Sequence, residues 1–271
     1  MPTKDATSAE VFHRLHAQGL LVLANVWDAG SARLVESLGA KALATTSAGV
    51  AWSHGYADGD LLPVPLLAAT VADIARVVSV PLSVDAEGGY ANDPATVGET
   101  VARLIDAGAV GINLEDGTGE PDLLCAKIEA VKRASARLGV DLFVNARTDV
   151  YLLGLVTEAR RVGEMLARAE RYRAAGADGI FVPAIVDPAE IRAITSAVPL
   201  PVNVLALRGL PAAAELQALG VRRLSAGSGM ARATLGRIAQ MAKDFLRNGA
   251  SEAVAGQGMT YDEINALMAA R

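Results

Sequence analysis

The sequence has little cysteine, no long apolar run and no excess of basic charge, and each absence excludes a class of protein. Cys125 is the single cysteine, so an internal disulfide is impossible and a reducing compartment is expected. No apolar run approaches the roughly 20 residues of a membrane span. The first ten residues lack the charged-then-apolar order of a signal peptide. We therefore expect a cytoplasmic protein with no membrane partner.

Three further classes lack support in the sequence: nucleic-acid-binding proteins, dinucleotide-binding folds and zinc proteins. The formal net charge is −5, and the lysines and arginines are scattered along predicted helices, so no nucleic-acid partner is expected. No Gly-x-Gly-x-x-Gly motif follows the first predicted strand, which removes the main support for a dinucleotide-binding fold. No histidine pair has the spacing of zinc ligands. Small anionic substrates remain compatible, because a local cation can override the global sign.

A repeated strand-helix pattern is the main feature present. Short apolar runs alternate with longer amphipathic stretches eight times in a chain of 271 residues that is 52% hydrophobic. Strands are predicted at 20–24, 40–45, 82–85, 111–114, 142–146, 179–182, 202–206 and 223–226. Helices are predicted at 29–38, 65–77, 94–107, 122–138, 157–175, 188–197, 210–219 and 230–247. Alternating elements pair their strands in parallel, and eight repeats favour an α/β fold of the (β/α)₈ TIM-barrel type. We expect one barrel domain over residues 1–271, with residues 248–271 as an extension that contains an additional helix at 259–270.

Acidic residues follow two neighbouring strands of this predicted barrel. Asp85 and Glu87 come at the end of the third strand, and Glu115 and Asp116 at the end of the fourth. In such barrels the carboxyl ends of the strands converge on one mouth, where the chemistry is found. Converging carboxylates without basic partners repel each other and raise their own pKa values, whereas a hard divalent cation turns that repulsion into binding. The pattern indicates half of a Mg²⁺ site.

Other polar residues at strand ends leave alternatives open. Arg147 can pair with a neighbouring glutamate or clamp a substrate carboxylate through its planar fork, and spacing alone does not separate the two. Thr45 and Ser228 are expected to cap the helices that follow them, as is Asp28, and Asp116 can do the same for its own loop.

Several motifs together resemble one known superfamily. They are Asn-Val-Trp-Asp-Ala-Gly-Ser at 25–31, Thr-Ser-Ala-Gly at 46–49, Gly-Tyr-Ala-Asp-Gly at 55–59, Val-Asp-Ala-Glu-Gly-Gly-Tyr at 84–90, Leu-Glu-Asp-Gly at 114–117 and Asn-Ala-Arg-Thr-Asp at 145–149. From about residue 10 to 245 the chain is similar to the isocitrate lyase/phosphoenolpyruvate mutase superfamily, including its methylisocitrate lyase-like and carboxyphosphonoenolpyruvate phosphonomutase-like members. The resemblance implies a barrel whose eighth helix is swapped with a partner, in a homotetramer built as a dimer of dimers.

The resemblance also implies a metal centre. Asp85 matches the direct Mg²⁺ ligand, and Asp58, Glu87 and Glu115 match the acidic shell that holds the waters of the ion, with Mn²⁺ as a possible substitute. Binding through water suits Mg²⁺, which dehydrates reluctantly. Glu115 and Arg147 are the residues expected to be catalytic.

A small carboxylate substrate is implied as well. Thr46, Ser47 and Ala48 match the segment that cradles the carboxylate of a 2-oxo acid, and Arg147 matches the arginine that neutralises it. Asn203 is expected to approach the same ligand. The chemistry implied is cleavage of a C–C or P–C bond through an enolpyruvate-type intermediate.

The loop after Glu115 departs from the superfamily pattern, because the Cys-Gly-His acid segment of methylisocitrate and isocitrate lyases is missing. Cys125 lies nearby, but its apolar neighbours predict a buried, inert thiol. The favoured hypothesis is a Mg²⁺-dependent lyase that cleaves a C–C bond of a small 2-oxo or 2-hydroxy di- or tricarboxylate, either methylisocitrate lyase-like or oxaloacetate decarboxylase-like. The alternatives are a phosphonomutase or phosphonopyruvate hydrolase, a non-catalytic barrel that binds 2-oxo acids, and a phosphate-binding barrel suggested by Gly-Ser-Gly at 227–229.

Overall fold

Strands and helices alternate along the chain in a computed structural model that describes residues 4–255 and 258–269. The strands are β1 (Leu21–Leu23), β2 (Asn25–Val26), β3 (Leu43–Thr45), β4 (Leu82–Asp85), β5 (Gly111–Glu115), β6 (Phe143–Arg147), β7 (Gly179–Val182), β8 (Val202–Leu205) and β9 (Arg223–Ser225). The helices are α1 (Lys4–Ala17), α2 (Ala29–Ser37), α3 (Ser47–Ser53), α4 (Val64–Val77), α5 (Pro94–Asp106), α6 (Pro121–Leu138), α7 (Glu158–Ala174), α8 (Pro188–Ala197), α9 (Ala213–Ala218), α10 (Gly229–Asn248) and α11 (Tyr261–Ala269), with a 3₁₀ turn at Ser251–Ala253.

The strands form one parallel sheet that closes into a barrel. Its order is β1-β9-β8-β7-β6-β5-β4-β3-β2, and every pair is parallel. β1 and β2 are two halves of one pass, interrupted at Ala24, and they pair with β9 and β3 respectively. This interrupted pass joins the two edges of the sheet. The predicted (β/α)₈ fold is therefore confirmed.

The ends of several helices follow from local sequence. Proline begins α5, α6 and α8, where a missing N–H costs nothing. The carboxylates of Asp93 and Asp187 cap α5 and α8 by accepting from Thr96 N at 2.8 Å and Ala189 N at 2.7 Å. Gly139 ends α6 at φ 70°, a left-handed conformation that glycine adopts without a Cβ penalty. These signals explain why the boundaries of α5 and α8 lie within one residue of prediction.

Three elements differ from the sequence expectation. The short helix α3 occupies the segment predicted only as a loop after the second strand. The predicted helix at 210–219 is confined to α9, and the predicted second strand at 40–45 to β3. The predicted C-terminal helix is present as α11, and its last residue, Ala270, lies outside the described residues.

Helix α1 closes the amino-terminal end of the barrel. Phe12 is fully buried against Gly111, the first residue of β5, where a Cβ would lie 2.6 Å from Phe12 Cε1. His16 stacks on Phe143, the first residue of β6, with ring centroids 4.1 Å apart. The guanidinium of Arg223, the first residue of β9, lies 5.9 Å from the Phe12 ring centre. The opposite, carboxyl end of the barrel therefore remains the open mouth.

The interior holds a chain of amide side chains between these two ends. Asn145 Nδ2 donates to Asn113 Oδ1 at 2.9 Å and to Asn203 Oδ1 at 3.0 Å, and Arg223 Nη2 donates to Asn113 Oδ1 at 3.3 Å. All four side chains are buried. Burial lowers the pKa of Arg223 to about 10, against the opposing effect of Asp85. The barrel core is thus polar on the line that leads to the mouth.

Helix α10 packs little against its own barrel. Ala231 is its one buried residue, although the helix has 20 residues. Apolar side chains such as Leu235, Ile238 and Phe245 are exposed. Val22, in the middle of β1, is 56% exposed, whereas outward residues of barrel strands are normally covered by helices. None of the described helices has the length and apolar character needed to cross a membrane.

Candidate active site

Asp85 lies at the centre of the mouth, at the carboxyl end of β4. Its backbone N–H donates to Thr45 Oγ1 at 2.8 Å, and its Oδ2 accepts from Ser47 N at 3.2 Å. Its Oδ1 is buried and has no hydrogen-bond partner among the described residues. A buried carboxylate oxygen without a partner carries a large desolvation cost, so this atom is where a cation would be stabilised best.

Arg147 ends β6 directly beside Glu115, its register partner on β5. Its Nη1 lies 2.6 Å from Glu115 Oε2, and its Nε and Nη2 donate to Asp149 at 2.7 and 3.0 Å. The Phe181 ring lies under the guanidinium at 5.9 Å. These contacts hold the planar fork in one orientation and keep its positive charge at the mouth. The pairing with Glu115 was one of the two alternatives that the sequence left open.

Asp58 and Glu87 reach the site from two loops. The carboxylate of Asp58 forms a hydrogen bond with the side chain of Ser47. Glu87 is buried, and its Oε2 accepts from Gly59 N at 2.8 Å and Asp60 N at 2.5 Å. Its Oε1 accepts from the Tyr90 hydroxyl at 2.6 Å. Glu87 therefore anchors the loop that carries Asp58.

Four carboxyl groups of this cluster have raised pKa values. Burial raises the pKa of Glu115 to about 8, although Arg147 opposes the shift, and Asp85 adds like charge. The pKa values of Asp58, Asp60 and Glu87 are also raised, first by burial and then by neighbouring carboxylates. A divalent cation placed among these groups would reverse the shifts by favouring the charged forms.

The donor set fits a hard cation that is bound largely through water. Among residues 4–255 and 258–269, no three His, Cys, Asp or Glu side chains converge closely enough to hold an ion directly. Asp85 Oδ1 is a buried carboxylate oxygen without a hydrogen-bond partner in the described part of the chain. Asp58, Glu87 and Glu115 supply three further carboxylates to the same cluster. A site with few direct protein ligands and several nearby carboxylates suits Mg²⁺, because this ion keeps several of its waters when it binds.

The remaining predicted site residues lie in two parts of the barrel, at the start of α3 and in the interior. Thr46, Ser47 and Ala48 are buried at the start of α3, beside Asp85. Asn203 lies inside the barrel, where its Oδ1 accepts from Asn145 and its Nδ2 donates to Ser225 Oγ at 3.1 Å. Its observed contacts fix the barrel interior, and direct contact with a ligand stays a prediction for this residue.

Two residues near the site were missed by sequence reasoning. Asp60 Oδ1 accepts from Tyr90 N at 3.0 Å, and Lys127 Nζ donates to the Gly88 carbonyl at 2.6 Å. Asp60 lies two residues after Asp58 in a glycine-rich loop, so the sequence could have indicated it as a site residue. Nothing in the sequence distinguishes Lys127 from the other lysines of an amphipathic helix.

Asp116 does not cap its loop, contrary to one expectation. Its Oδ1 accepts from Asp149 N at 2.9 Å, and its Oδ2 accepts from Arg168 at 2.8 Å and from the Tyr172 hydroxyl at 2.6 Å. The side chain is fully buried, so it satisfies these donors instead of a helix end. Asp116 thereby braces Asp149, the partner of Arg147.

Four smaller expectations had mixed outcomes. Asp28 caps α2 through a 2.6 Å bond from Ser31 N, as predicted. Thr45 accepts from Asp85 N instead of capping a helix, and Ser228 precedes α10 without a side-chain capping bond. Cys125 is half-buried instead of buried, and desolvation raises its thiol pKa, which keeps it largely protonated.

Carboxylates and Arg147 at the carboxyl mouth of a parallel barrel are the arrangement of an enzyme active site. A model of the phosphoenolpyruvate phosphomutase family matches residues 12–246. A protein of unassigned function from Mycobacterium tuberculosis (strain ATCC 25618 / H37Rv) is 41% identical over 80% of this chain and 81% of its own length. An oxaloacetate decarboxylase from Paraburkholderia xenovorans (strain LB400) is 33% identical over 79% of this chain and 73% of its own.

Solved structures agree with this family. A Burkholderia cenocepacia J2315 protein provisionally described as a phosphonomutase has a TM-score of 0.82 at 45% identity, over 87% of this chain and 99% of that one. A phosphonopyruvate hydrolase, solved as a complex with oxalate and Mg²⁺, shares the fold at a TM-score of 0.83 and 24% identity, over 96% and 94% of the two chains. The chain belongs to the phosphoenolpyruvate phosphomutase family, within the phosphoenolpyruvate mutase/isocitrate lyase superfamily.

Proposed function

We propose that this protein is a Mg²⁺-dependent lyase that cleaves a C–C bond of a small 2-oxo or 2-hydroxy dicarboxylate or tricarboxylate through an enolpyruvate-type intermediate. The observation that carries the proposal is the buried, unpaired Oδ1 of Asp85 at the centre of an acidic mouth. Asp85 would hold the ion directly, with Asp58, Glu87 and Glu115 on its waters. The bound ion would supply positive charge where negative charge develops on the substrate.

The protein's own residues account for substrate orientation. Arg147 neutralises the substrate carboxylate, and Glu115 and Asp149 keep its guanidinium in the plane required for two parallel hydrogen bonds. Ser47 N–H donates to Asp85 Oδ2 at 3.2 Å and so fixes the carboxylate that would hold the ion. This preorganisation removes rotational freedom before the reaction begins.

The loop after β5 favours decarboxylation among the possible C–C cleavages. It consists of residues 116–120, closed by a bond from Gly119 N to Asp116 O, before α6 begins at Pro121. These five residues contain no histidine, cysteine or lysine. Loss of CO₂ from a 2-oxo dicarboxylate needs no acid from a lid to release the leaving group. The oxaloacetate decarboxylases among the relatives support the same choice.

Two assays test the proposal. Oxaloacetate and a panel of 2-hydroxy tricarboxylates are assayed for pyruvate release with and without Mg²⁺, and oxalate binding is measured by calorimetry in the presence of Mg²⁺. We expect binding that needs both components and that Asp85→Ala abolishes. Asp73→Ala, which alters an exposed pair with Arg76, is the matched control. Uncoupled oxalate binding, or full binding by Asp85→Ala, contradicts the proposal.

P–C bond chemistry is the second candidate, because the matching family model is described as a phosphomutase and a 45% identical structure as a phosphonomutase. Phosphorus NMR on phosphonopyruvate separates the two. Rearrangement or release of phosphate would favour the phosphonomutase or hydrolase function. An unchanged phosphonate signal together with pyruvate release from oxaloacetate favours the lyase. Tight oxalate binding with no turnover of any substrate would indicate a non-catalytic binding barrel.

We also propose that α10 is exchanged between two copies of the chain, within a homotetramer. The apolar face of this helix is exposed, and so is Val22 on the outside of β1. An apolar face of this size on a 20-residue helix is unfavourable in water. A second copy supplies both missing contacts, because its α10 can cover β1 while this chain's α10 covers the equivalent strand of the partner.

A further inference from the structure

Two loops at the mouth hold each other by reciprocal hydrogen bonds. Glu87 accepts from the backbone N–H groups of Gly59 and Asp60, and Asp60 in turn accepts from the N–H groups of Tyr90 and Gly88. Each loop thus supplies a carboxylate that accepts hydrogen bonds from backbone N–H groups of the other loop. We call residues 58–60 and 87–90 together the clasp.

The clasp is conformationally strained. Within the described part of the chain, four residues other than glycine have positive φ, and three of them belong to the clasp: Asp60 at 58°, Glu87 at 49° and Tyr90 at 60°. Such conformations cost on the order of 1 kcal/mol or more each and persist only where surrounding contacts impose them. A Cβ at Gly88 would lie 2.6 Å from Asp60 Oδ2, so a side chain there would displace the Asp60 carboxylate from the clasp. The strained backbone of the clasp therefore depends on the contacts that hold it.

Lys127 joins the clasp to the helix layer of the barrel, in addition to the bond from Glu115 N to Glu87 O. It lies on α6, is 6% exposed, and its Nζ donates to the Gly88 carbonyl at 2.6 Å. Its charge acts on Asp60 across the clasp. A buried lysine is costly unless it is paired and hydrogen-bonded, so both contacts are needed to retain it. Lys127 therefore supports the clasp from the side opposite the solvent.

We propose that Asp60 and Lys127 are positioning residues, which hold the clasp closed so that Asp58 and Glu87 stay directed at Asp85. The inference rests on the metal centre proposed above and extends it to two residues that would not contact the ion. Asp58, Glu87 and Asp85 carry like charge, so without the clasp their repulsion separates the two loops. Supporting residues of this kind typically change metal affinity by roughly 10- to 100-fold.

Lys127→Met separates positioning from simple electrostatics. Removal of a positive charge near the site would by itself strengthen Mg²⁺ binding, whereas loss of the clasp weakens it. We expect Lys127→Met to weaken the binding of Mg²⁺ alone, measured by calorimetry, by roughly 10-fold. Hydrogen exchange at the amides of 59–60 and 88–90 should accelerate in the same variant. Lys132→Met is the matched control, because Lys132 lies on the same helix and bonds Leu142 O and Asp178 instead.

Asp60→Asn provides a second variant that keeps the side-chain volume but removes its charge. It should show the same faster exchange at 88–90 and weaker Mg²⁺ binding, with a thermal midpoint close to that of the unmodified protein. Unchanged or tighter Mg²⁺ binding by Lys127→Met, with unchanged exchange in the clasp, overturns the inference and leaves the proposed function standing. If the unmodified protein binds no Mg²⁺, the proposed metal centre fails, and exchange in the two variants alone decides whether they hold the clasp.

Discussion

Asp85 and Arg147 show how much of this site depends on single atoms. One oxygen of Asp85 is unpaired and buried, while three nitrogens of Arg147 are all engaged by two carboxylates. The first atom would be free to bind the proposed cation, and the second group is held in one orientation for the proposed anion. The two proposed sites lie at the ends of β4 and β6, on either side of β5, and together would suit a chelated 2-oxo carboxylate.

Arg147→Lys tests the planar fork. An ammonium is a point charge and cannot bond both Asp149 oxygens and Glu115 together, so the side chain loses its fixed orientation. We expect kcat/KM for pyruvate release to fall by roughly 100-fold and oxalate binding to weaken, while circular dichroism stays unchanged. Arg133→Lys, on the exposed face of α6 beside Glu129, should leave both values intact. Equal activity of Arg147→Lys and the unmodified protein would show that charge alone suffices.

Between secondary-structure elements, Asp116 connects three parts of the mouth. It joins the loop after β5 to Arg168 and Tyr172 on α7 and to the backbone that follows β6. Burial, and then the negative charge of Asp116, raise the pKa of Tyr172; hydrogen bonds to Glu164 and Asp116 raise the pKa of Arg168 against the opposing effect of burial. Helix α7 therefore supports Arg147 indirectly, through Asp116 and Asp149.

Asp116→Asn should destabilise the protein because it leaves the guanidinium of Arg168 buried with less compensation. Breaking one partner of a buried pair costs about 3 kcal/mol, which urea denaturation would detect as a lower midpoint. Asp122→Asn removes an exposed partner of Arg171 and should not move the midpoint. Equal midpoints for the two variants would contradict a structural role of Asp116.

The docking of α1 depends on a histidine that stays neutral. Burial and the nearby charge of Arg223 lower the pKa of His16 to about 3 from its usual 6.5. His16 Nδ1 donates to Phe12 O at 2.8 Å, so an added proton would go to Nε2, which has no partner among the described residues. Protonation is therefore far easier in the unfolded chain than in the folded one.

The stability of the protein should consequently fall as the pH is lowered. Above about pH 6.5 both states hold a neutral His16 and its contribution is complete; between pH 6.5 and 3 only the unfolded state binds the proton. The loss reaches roughly 3 kcal/mol at pH 4, at about 1.4 kcal/mol per pH unit. His16→Phe keeps the stacking on Phe143 and should show a flatter decline in urea denaturation from pH 7 to 4. Parallel pH profiles for the two proteins would refute the assignment.

At the scale of the whole molecule, a single copy of the chain leaves most of α10 exposed. Its exposed apolar residues line a groove with Trp27 and Trp52 near the mouth. An exchange of α10 between copies would therefore bury apolar surface close to the site of each. The α11 helix packs against α2, where Arg33 Nε donates to Leu267 O at 3.2 Å.

Ile238→Asp tests the exchanged helix. Ile238 is 53% exposed in one copy, and a charge placed there would be buried at the proposed contact. We expect light scattering after size exclusion to show a smaller species than the unmodified protein, with pyruvate release reduced. Gln240→Asp introduces the same charge on the opposite side of the helix and should leave the mass unchanged. A tetramer with Ile238→Asp, or a monomer without any substitution, would exclude the exchange.

Local signals in the sequence were sufficient for most of the barrel and for part of the site. Alternating apolar periods predicted eight passes, and the strand-end positions of Asp85, Glu115 and Arg147 placed them at one mouth. Helix α3 was missed because a seven-residue helix has too few turns to display a period. The role of Asp116 was missed because its partners on α7 lie about fifty residues along the chain.

The amino-acid order by itself determined the barrel, its open end and the acidic character of that end, because periodicity and strand ends are local properties. The tertiary structure decided which contacts the acidic and basic side chains at that end make. Which oxygen of Asp85 remains unpaired, which carboxylates hold Arg147, and how Asp60 and Lys127 hold the loops at 58–60 and 87–90 all depend on residues far apart in sequence. Such contacts arise only when closure of the sheet brings separate strand ends within a few ångströms, and no local pattern encodes them.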